Sequence, residues 1–427
     1  MASRRYGGAQ CFDMPMRMWP VRRRSRSVIG VAAVGAVVAL LAPAGAVAQS
    51  TPRGDVTAPS TSTSTLPSGA TTRLNASLLD AWADLPGGAM ATVIVPGRGR
   101  WVGSVGYAND ERKRTLTPDR QSNIGSVTKT FTGMLVLQEV AAGRLDLDDR
   151  LDRWYPSIPK SDEITIAMLL NMSSGIADYL NANVLGFAEQ LMENPKRRYR
   201  PDDLIAEGAA LPREFDVPGT GFAYSNTNTV ILARILEKET GLSYAALLES
   251  RLFKPLGMPR SFLNNSGDLQ SPHAQTYSDA FSYIDPDVPP VGRTTDWSQS
   301  YVWAAGGMAS TIYDLGRWGR ALGTGRGAIP ASLAAERLDN CAPSAPGTPT
   351  AYCLGLVVTS DTATGKPITL WHNGRVFGAV AYVGYYPATG AVVAVMANCD
   401  MEGPDGQHVS MRAKAAIEAA IPGLLGL

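Results

Sequence analysis

The chain contains few of the side chains that bind metal ions. Only three histidines and four cysteines occur among its 427 residues. No two of the histidines (His273, His372 and His408) have the spacing of zinc ligands, and no Cys-x-x-Cys motif occurs. We therefore expect no metal site, and nothing in the sequence calls for a cofactor.

Long hydrophobic runs are also scarce, and none after residue 48 is apolar enough to span a bilayer. Residues 1–48 have the pattern of an export signal. Arginines at 22, 23, 24 and 26 precede an apolar stretch over 28–41, and Ala46-Val47-Ala48 forms a small-residue cleavage site. A membrane anchor that stays attached is the alternative, but the stretch is shorter than the ~20 residues that a spanning helix needs. The sequence therefore predicts a cleaved signal peptide and a secreted protein without a stable membrane span.

Neither sign of charge dominates the sequence. Charged residues make up 18% of the chain, and the net charge is +1 at pH 7. Loss of residues 1–48 removes seven arginines and one aspartate, which leaves a net charge of −5. A mildly acidic chain lacks the attraction that draws proteins to nucleic acids and anionic membranes. We therefore expect no nucleic-acid partner.

Three cysteines follow the predicted cleavage site, at positions 341, 353 and 399. Export makes a disulfide possible, and the odd number leaves one thiol over. A bond between Cys341 and Cys353 would close a short loop rich in proline and glycine, and we favour this pairing. A bond between Cys353 and Cys399 across neighbouring strands is the alternative.

Composition and periodicity divide the rest of the chain into regions. Residues 49–72 are rich in serine, threonine and proline and predict a disordered linker. Residues 73–119 and 346–427 carry strand patterns, whereas 120–345 is mainly helical. The elements predicted in the two terminal segments are a helix at 74–85, strands at 90–95, 101–108, 354–359, 368–372, 379–387 and 391–398, and a helix at 407–421. The simplest architecture is an α/β domain plus an all-α domain: both chain ends form one antiparallel sheet flanked by helices, and a large helical domain is inserted. A catalytic cleft is expected where the two domains meet.

A Ser-x-x-Lys motif, formed by Ser126 and Lys129, opens an apolar run that predicts a buried helix over 127–142. Residues three apart on a helix share a face, so the lysine amine should lie about one turn from the serine hydroxyl. Serine is a weak nucleophile until a base removes its proton, and a buried lysine with a lowered pKa can be that base. A chance match is the alternative, because Ser157 and Lys160 repeat the motif in a proline-flanked loop.

Tyr224-Ser225-Asn226 lies in a loop rich in proline and glycine, before a helix predicted over 230–240. A protonated lysine near a tyrosine favours the phenolate, so Tyr224 could accept a proton from Ser126 and pass it to a leaving group. Asn226 could hold a substrate amide and orient Lys129. The alternative is a tyrosine that only packs and an asparagine that caps the helix.

His372 ends the apolar strand predicted at 368–372, and Asn373, Gly374 and Arg375 follow it. A glycine on a strand edge lets another backbone approach closely, and the neighbouring arginine adds a cation. This arrangement favours a wall against which a substrate lies. A histidine that merely serves a turn is the alternative.

The chain carries three motifs in a fixed order: Ser-x-x-Lys, Tyr-Ser-Asn and His-x-Gly. This order resembles the motif pattern of one family of serine hydrolases. The family unites class C β-lactamases, D-alanyl-D-alanine carboxypeptidases and related esterases. The resemblance runs from about residue 75 to 425, and its matching segments are 125–132, 169–176, 224–228, 253–258 and 305–308. It implies a penicillin-binding or β-lactamase-like fold and a mechanism through an acyl-enzyme.

The resemblance also implies a role for each candidate residue. Ser126 would attack a carbonyl and become acylated. Lys129 and Tyr224 would share the general-base work, and Tyr224 would protonate the leaving group. The N–H groups of residues 126 and 375 would form the oxyanion hole. The residues expected to contact substrate are Asn226, His372, Asn373, Gly374 and Arg375.

Two departures from the family pattern affect the expected substrate. His372 stands where many β-lactamases have lysine, and a free histidine, with a pKa of ~6.5, is mostly neutral at pH 7. Asn373 and Arg375 stand where threonine and a small residue are usual, and Arg375 could either supply the missing cation or point away to solvent. These features favour a D-alanyl-D-alanine carboxypeptidase acting on cell-wall peptides. A class C-like β-lactamase or a carboxylesterase is the alternative, so the acyl donor is a D-Ala-D-Ala peptide, a β-lactam or an ester. A non-catalytic penicillin-binding or wall-binding protein is the second alternative.

Overall fold

The two ends of the chain form one antiparallel sheet. The computed structural model describes residues 60–82, 85–284, 291–345, 347–403 and 405–427. The predicted signal peptide and the first part of the predicted linker lie outside these residues. Within them the strands are β1 (Ser60–Ser64), β2 (Gly88–Val95), β3 (Gly99–Asn109), β4 (Arg114–Thr115), β5 (Ser122–Asn123), β6 (Phe262–Leu263), β7 (Tyr277–Ser278), β8 (Gly292–Arg293), β9 (Met308–Ser310), β10 (Ala342–Pro343), β11 (Thr350–Cys353), β12 (Leu356–Ser360), β13 (Pro367–Val376), β14 (Ala379–Tyr386) and β15 (Ala391–Ala397).

Helices outnumber strands in the chain between β5 and β10. The described helices are α1 (Ser68–Trp82), α2 (Thr128–Ala141), α3 (Ile166–Leu170), α4 (Tyr179–Ala182), α5 (Val184–Glu193), α6 (Pro201–Ala210), α7 (Asn226–Thr240), α8 (Tyr244–Leu248), α9 (Lys254–Leu256), α10 (Ala280–Ile284), α11 (Trp303–Gly306), α12 (Ile312–Thr324), α13 (Ala331–Glu336), α14 (Val409–Ala420) and α15 (Pro422–Leu425). Short 3₁₀ turns lie at Gly125–Val127, Leu151–Arg153 and Gln299–Tyr301, and a π-helical turn at Glu249–Phe253. No helix among the described residues is both long and apolar enough to cross a bilayer.

The main sheet joins the N-terminal and C-terminal parts of the chain. Its strand order is β1-β3-β2-β15-β14-β13-β12-β11-β10, and β4 pairs with β3. Strands β2 and β15 pair antiparallel along their length, from Val392 opposite Ile94 to Ala397 opposite Ala89. All of β15 and nearly all of β2 are buried, because helices cover both faces of the sheet. The predicted sheet built from both chain ends, flanked by helices, is confirmed.

Neighbouring residues of β14 contact helices on opposite faces of the sheet, since side chains alternate along a strand. The ring of Tyr385 lies against Gly323 of α12. The hydroxyl of Tyr386 donates to Glu418 of α14, at 2.7 Å. Helix α1 packs on α14, and Ser77 donates to the carbonyl of Ala416 at 3.2 Å. The sheet is therefore the middle of three layers.

Helix α12 lies in the segment 120–345, which we predicted as helical and separate from the sheet. It packs directly on β2, β14 and β15. Three glycines, Gly316, Gly319 and Gly323, face the sheet, and an added Cβ at Gly319 would come within 2.4 Å of Val392. The missing side chains let the helix approach closely. The helical and sheet regions of the described residues thus belong to one compact unit.

Residues 60–72 correct the prediction of a disordered linker that extends to residue 72. Strand β1 pairs with β3 through five residues, Ser60 opposite Val105 to Ser64 opposite Trp101. Its serine and threonine side chains are exposed, since strand pairing uses backbone groups and an edge strand can keep polar side chains in water. Helix α1 then begins at Ser68, six residues before the predicted helix at 74–85.

A disulfide joins Cys341 to Cys353, the pairing that the sequence analysis favours. It closes the short loop that carries β10 onto β11. Cys399 has a free thiol and is buried.

Candidate active site

The 3₁₀ turn Gly125–Val127 leads into α2, and this local structure positions Ser126 against Lys129. The lysine Nζ lies 3.0 Å from the serine Oγ. Lys129 is buried, with 1% of its surface exposed, whereas Ser126 is half-buried. The second copy of the motif differs, because the amine of Lys160 lies 3.2 Å from the carboxylate of Glu163 near the surface. The structure therefore pairs serine with lysine at the first copy.

Two oxygens that can only accept hydrogen bonds fix the amine of Lys129. Its Nζ lies 2.6 Å from Oδ1 of Asn226 and 2.7 Å from the carbonyl of Ala305. A neutral amine has two N–H groups and one lone pair. The two carbonyl oxygens engage the N–H groups, so the lone pair is left for the hydroxyl of Ser126.

Burial lowers the pKa of Lys129 to about 7, and the negative charge of Asp178 opposes this shift. A large share of the amine is therefore neutral near pH 7. The geometry and the pKa together make Lys129 able to take the proton of Ser126.

Tyr224 contacts both the serine and the lysine. Its hydroxyl hydrogen-bonds with Ser126, and Nζ of Lys129 lies 4.8 Å from the centroid of its ring. Burial raises the pKa of the phenol well above its ordinary value, and the hydrogen bond with Ser126 lowers it only in part. The prediction that Lys129 favours the phenolate form of Tyr224 is therefore wrong. Tyr224 keeps its proton at neutral pH and is placed to donate it.

Asn226 is the first residue of α7 and connects Lys129 to a carboxylate that the sequence analysis missed. Its Nδ2 lies 2.9 and 3.1 Å from the two carboxylate oxygens of Asp178, which is 6% exposed. Asp178 lies two residues after the matching segment 169–176 and directly before α4. An aspartate within the otherwise apolar run from Ile176 to Leu180 was the available signal.

His372 lies on β13 beside the site. Its Nε2 lies 3.0 Å from the hydroxyl of Tyr352, and its Nδ1 lies 2.5 Å from the carbonyl oxygen of Asn373. Burial and the charge of Lys129 lower the pKa of the imidazole to about 3. His372 is therefore neutral at physiological pH and supplies no cation.

Gly374 lets β13 touch the turn that carries the nucleophile. A Cβ on Gly374 would lie 2.0 Å from the carbonyl oxygen of Ile124 and 2.8 Å from the nitrogen of Ser126. A Cβ on Gly125, whose φ is +53°, would lie 2.6 Å from the nitrogen of Arg375. Both positions therefore require glycine. The close approach brings the backbone nitrogens of residues 126 and 375 together, where the oxyanion hole was predicted.

The side chains of Asn373 and Arg375 alternate with His372 and Gly374, so they face the opposite side of β13. The guanidinium of Arg375 lies 3.6 Å from Glu402 and 4.0 Å from Asp400. The sequence leaves two positions for this side chain, supplying a cation to the site or pointing away to solvent. The structure agrees with the second, because the side chain points away from the site, is 35% exposed and lies beside Asp400 and Glu402.

No group of three or more histidine, cysteine, aspartate or glutamate side chains among the described residues is arranged to hold a metal ion. The functional side chains that converge are a serine, a lysine, a tyrosine, an asparagine and an aspartate. This set can carry out nucleophilic attack and proton transfer on an acyl donor.

Comparison with known proteins identifies the family. The family model described as Beta-lactamase matches residues 76–417, so the chain belongs to the beta-lactamase family of serine hydrolases. It is 36% identical over 167 residues to a penicillin-binding protein of Bacillus subtilis and 32% identical over 173 residues to a D-aminopeptidase of Brucella anthropi. These matches cover 38% and 40% of this chain but 35% and 32% of the relatives. The chain thus matches about a third of the length of each relative.

Solved structures match a larger share of both this chain and their own chains. A D-stereospecific amidohydrolase from Streptomyces sp. superposes with a TM-score of 0.70 at 28% identity, covering 83% of this chain and 99% of that one. A D-amino acid amidase from Ochrobactrum anthropi, complexed with L-phenylalanine amide, superposes with a TM-score of 0.71 at 26% identity and the same coverage. The predicted family resemblance and fold are confirmed.

Proposed function

We propose that the protein is an exported serine hydrolase that forms an acyl-enzyme on Ser126 and cleaves amides of D-amino acids and short D-peptides with an uncharged leaving group. The observation that carries the substrate class is that neither His372 nor Arg375 can serve as a cation that binds a substrate carboxylate. His372 is buried with its pKa lowered to about 3, and the guanidinium of Arg375 lies among Asp400 and Glu402. A substrate that ends in a free carboxylate would find neither cation available.

In the proposed reaction, neutral Lys129 takes the proton of Ser126 as the serine oxygen attacks the carbonyl carbon. The N–H groups of Ser126 and Arg375 would stabilise the oxyanion, each contributing roughly 3–4 kcal/mol in comparable sites. Tyr224 then donates its proton to the leaving amine, and the C–N bond breaks. Water hydrolyses the acyl-enzyme by the reverse sequence of proton transfers and restores the serine.

The names of similar proteins support this choice. The two solved structures reported above are a D-stereospecific amidohydrolase and a D-amino acid amidase, and one relative is a D-aminopeptidase. A D-alanyl-D-alanine carboxypeptidase is the second candidate, because the chain is also 36% identical over 167 residues to a penicillin-binding protein.

A matched substrate pair tests the proposal. N-acetyl-D-alanyl-D-alanine and its C-terminal carboxamide share the scissile bond and differ only in the terminal carboxylate. We expect hydrolysis of the carboxamide and of D-phenylalanine amide at a kcat/KM at least tenfold above that of the free acid. The L-amide and the Ser126→Ala variant are the controls. A tenfold preference for the free acid would establish the carboxypeptidase instead.

Three further outcomes separate the remaining alternatives. Rapid turnover of penicillin, measured by intact mass without a lasting adduct, would identify a β-lactamase. Turnover of short-chain esters with no amide hydrolysis would identify an esterase. Failure of a fluorophosphonate to label Ser126 would favour a binding protein without catalysis.

A further inference from the structure

We propose that Asp178 is a positioning residue for catalysis, which holds Asn226 in place and stabilises the ammonium that forms on Lys129 when Ser126 is deprotonated. This inference rests on the proposed acyl-enzyme function of the same site, and it does not depend on the choice of substrate. It links a serine, a lysine, an asparagine and an aspartate into one chain of contacts.

The hydrogen bonds of Asn226 define one orientation of its amide. Oδ1 lies 2.6 Å from the Nζ of Lys129, and Nδ2 lies 2.9 and 3.1 Å from the carboxylate oxygens of Asp178. A flipped amide would place an oxygen against the carboxylate, which is repulsive, and would turn towards the amine an NH₂ group that cannot accept its hydrogen bond. Asp178 therefore determines which atom Asn226 presents to Lys129.

Asp178 itself is held firmly. It caps α4, where its Oδ1 accepts a hydrogen bond from the backbone N–H of Leu180 at 3.0 Å. The backbone N–H of Asn226 also donates to it. The carboxylate thus receives hydrogen bonds from two backbone groups and one side chain. Such a fixed anion can orient a partner without moving during the reaction.

The buried charges are complementary. Transfer of a proton from Ser126 to Lys129 creates an ammonium in a site that excludes water, which is costly without a nearby anion. Asp178 provides that anion one side chain away. The same logic governs catalytic triads, in which a third group orients the base and stabilises its protonated form.

Among the residues that the structure describes, the other titratable groups that face Lys129 or Asp178 carry no charge at neutral pH. Tyr224, Tyr179 and Tyr352 are tyrosines whose pKa is raised by burial, and the pKa of His372 is lowered to about 3. The pKa of Asp178 is raised, because burial outweighs the opposing effects of Asn226 and the charge of Lys129. The negative charge of Asp178, in turn, raises the pKa of Lys129 against the effect of burial.

The Asp178→Asn variant tests the proposal, because it removes the charge and keeps the size of the side chain. The readout is kcat/KM against pH with a p-nitrophenyl ester, which reports acylation of Ser126. We expect kcat/KM at pH 8 to fall at least tenfold and the acidic limb to move to lower pH by about one unit. An unchanged rate and an unchanged limb would overturn the proposal, and so would a lower Tm with an unchanged limb.

Asp314→Asn is the matched control. Asp314 is also buried, caps no part of the site, and accepts a backbone N–H from Arg260 at 2.8 Å. We expect this variant to keep the wild-type pH profile. If Asp178→Asn does not fold, Asn226→Ala breaks the same connection and should move the acidic limb in the same direction.

A measurement without turnover separates this inference from the proposed function. The pKa of Lys129 can be followed by NMR of protein labelled with ¹³C at the lysine side chain, in the Ser126→Ala background. The pKa should be lower in the Asp178→Asn variant. Wild-type protein that acylates no substrate would refute the proposed function, whereas an equal pKa in both proteins would refute the role of Asp178.

Discussion

The amine nitrogen of Lys129 lies 3.0 Å from the hydroxyl oxygen of Ser126, and burial lowers the pKa of that amine to about 7. Only the neutral amine can accept the proton of the serine. The value of kcat/KM should therefore rise with pH through an inflection near 7 and reach a plateau above it. A pH series with an uncharged amide substrate measures this limb. A rate that is flat between pH 5 and 9 would contradict the assignment.

Replacement of Lys129 should remove both the activity and the rise of kcat/KM with pH near 7. Lys129→Ala is expected to lower kcat/KM by about three orders of magnitude or more, since the members of a catalytic unit act together. Lys160→Ala is the matched control, because Lys160 belongs to the chance copy of the motif and pairs with Glu163 near the surface. Surface pairs contribute little to stability, so the control should keep wild-type activity and Tm. Equal activity of the two variants would argue against a catalytic role for Lys129.

The hydroxyl of Tyr224 should matter most when the leaving group needs a proton. Tyr224→Phe keeps the ring, which packs edge-on against Tyr352 with centroids 5.9 Å apart. We expect kcat for an amide to fall by about 10²–10⁴, as is usual for loss of a general acid. The loss for a p-nitrophenyl ester should be smaller, because p-nitrophenolate departs without protonation. An equal loss of kcat for the two substrates would show that Tyr224 does not protonate the leaving group. Tyr244→Phe, at a buried tyrosine that hydrogen-bonds with Thr132 at 2.7 Å, is the control.

Asp400 should make stability depend on pH. Burial raises the pKa of this carboxyl to about 7, while Arg375 opposes the shift. Between about pH 4 and 7 the folded protein binds more protons at this site than the unfolded chain, so this contribution to stability falls as pH rises and levels off above 7. Asp400→Asn should therefore gain more stability relative to wild type at pH 8 than at pH 5. Urea unfolding at the two pH values measures the difference, and the opposite order would contradict the raised pKa.

The disulfide should contribute measurably to stability. Cys341 and Cys353 are separated by 12 residues in the sequence. Closing a loop of this length restricts the unfolded chain and is worth about 3 kcal/mol in the chain-entropy model. A Cys341→Ser, Cys353→Ser double variant should lose about this much free energy of unfolding and keep its acylation rate. Cys399→Ser is the control, and an unchanged midpoint in the double variant would show that the crosslink adds no stability.

The sequence predicted those parts of the fold in which periodicity determines structure. The central strands were recognisable because β2 and β15 are apolar along their length, and the proximity of Ser126 to Lys129 follows from the geometry of a single helical turn. Strand β1 carried no such signal, since serine and threonine with exposed side chains resemble a linker. Pairing with β3 gives it structure, and sequence periodicity does not reveal pairing between distant segments.

The parts of the site that depend on tertiary contacts could not be predicted. Asp178 meets Asn226 across 48 residues of sequence, and no local pattern relates them. The raised pKa of Tyr224 was not predicted because it is caused by burial, which outweighs the hydrogen bond with Ser126 and is a property of the folded molecule. The partners of Arg375 were missed for the same reason, since Asp400 and Glu402 approach it only when β13 and the chain after β15 come together.

The two margins of the main sheet have a consequence for solubility. One margin is strand β1, whose five exposed residues all carry hydroxyl groups. The other is the two-residue strand β10, in which Pro343 has no backbone N–H to donate. A long apolar margin would invite strands of other molecules to add to the sheet, whereas polar, short or proline-bearing margins discourage it. Both ends of the described sheet are of this protective kind, which should let the folded protein withstand high concentration without aggregating edge to edge.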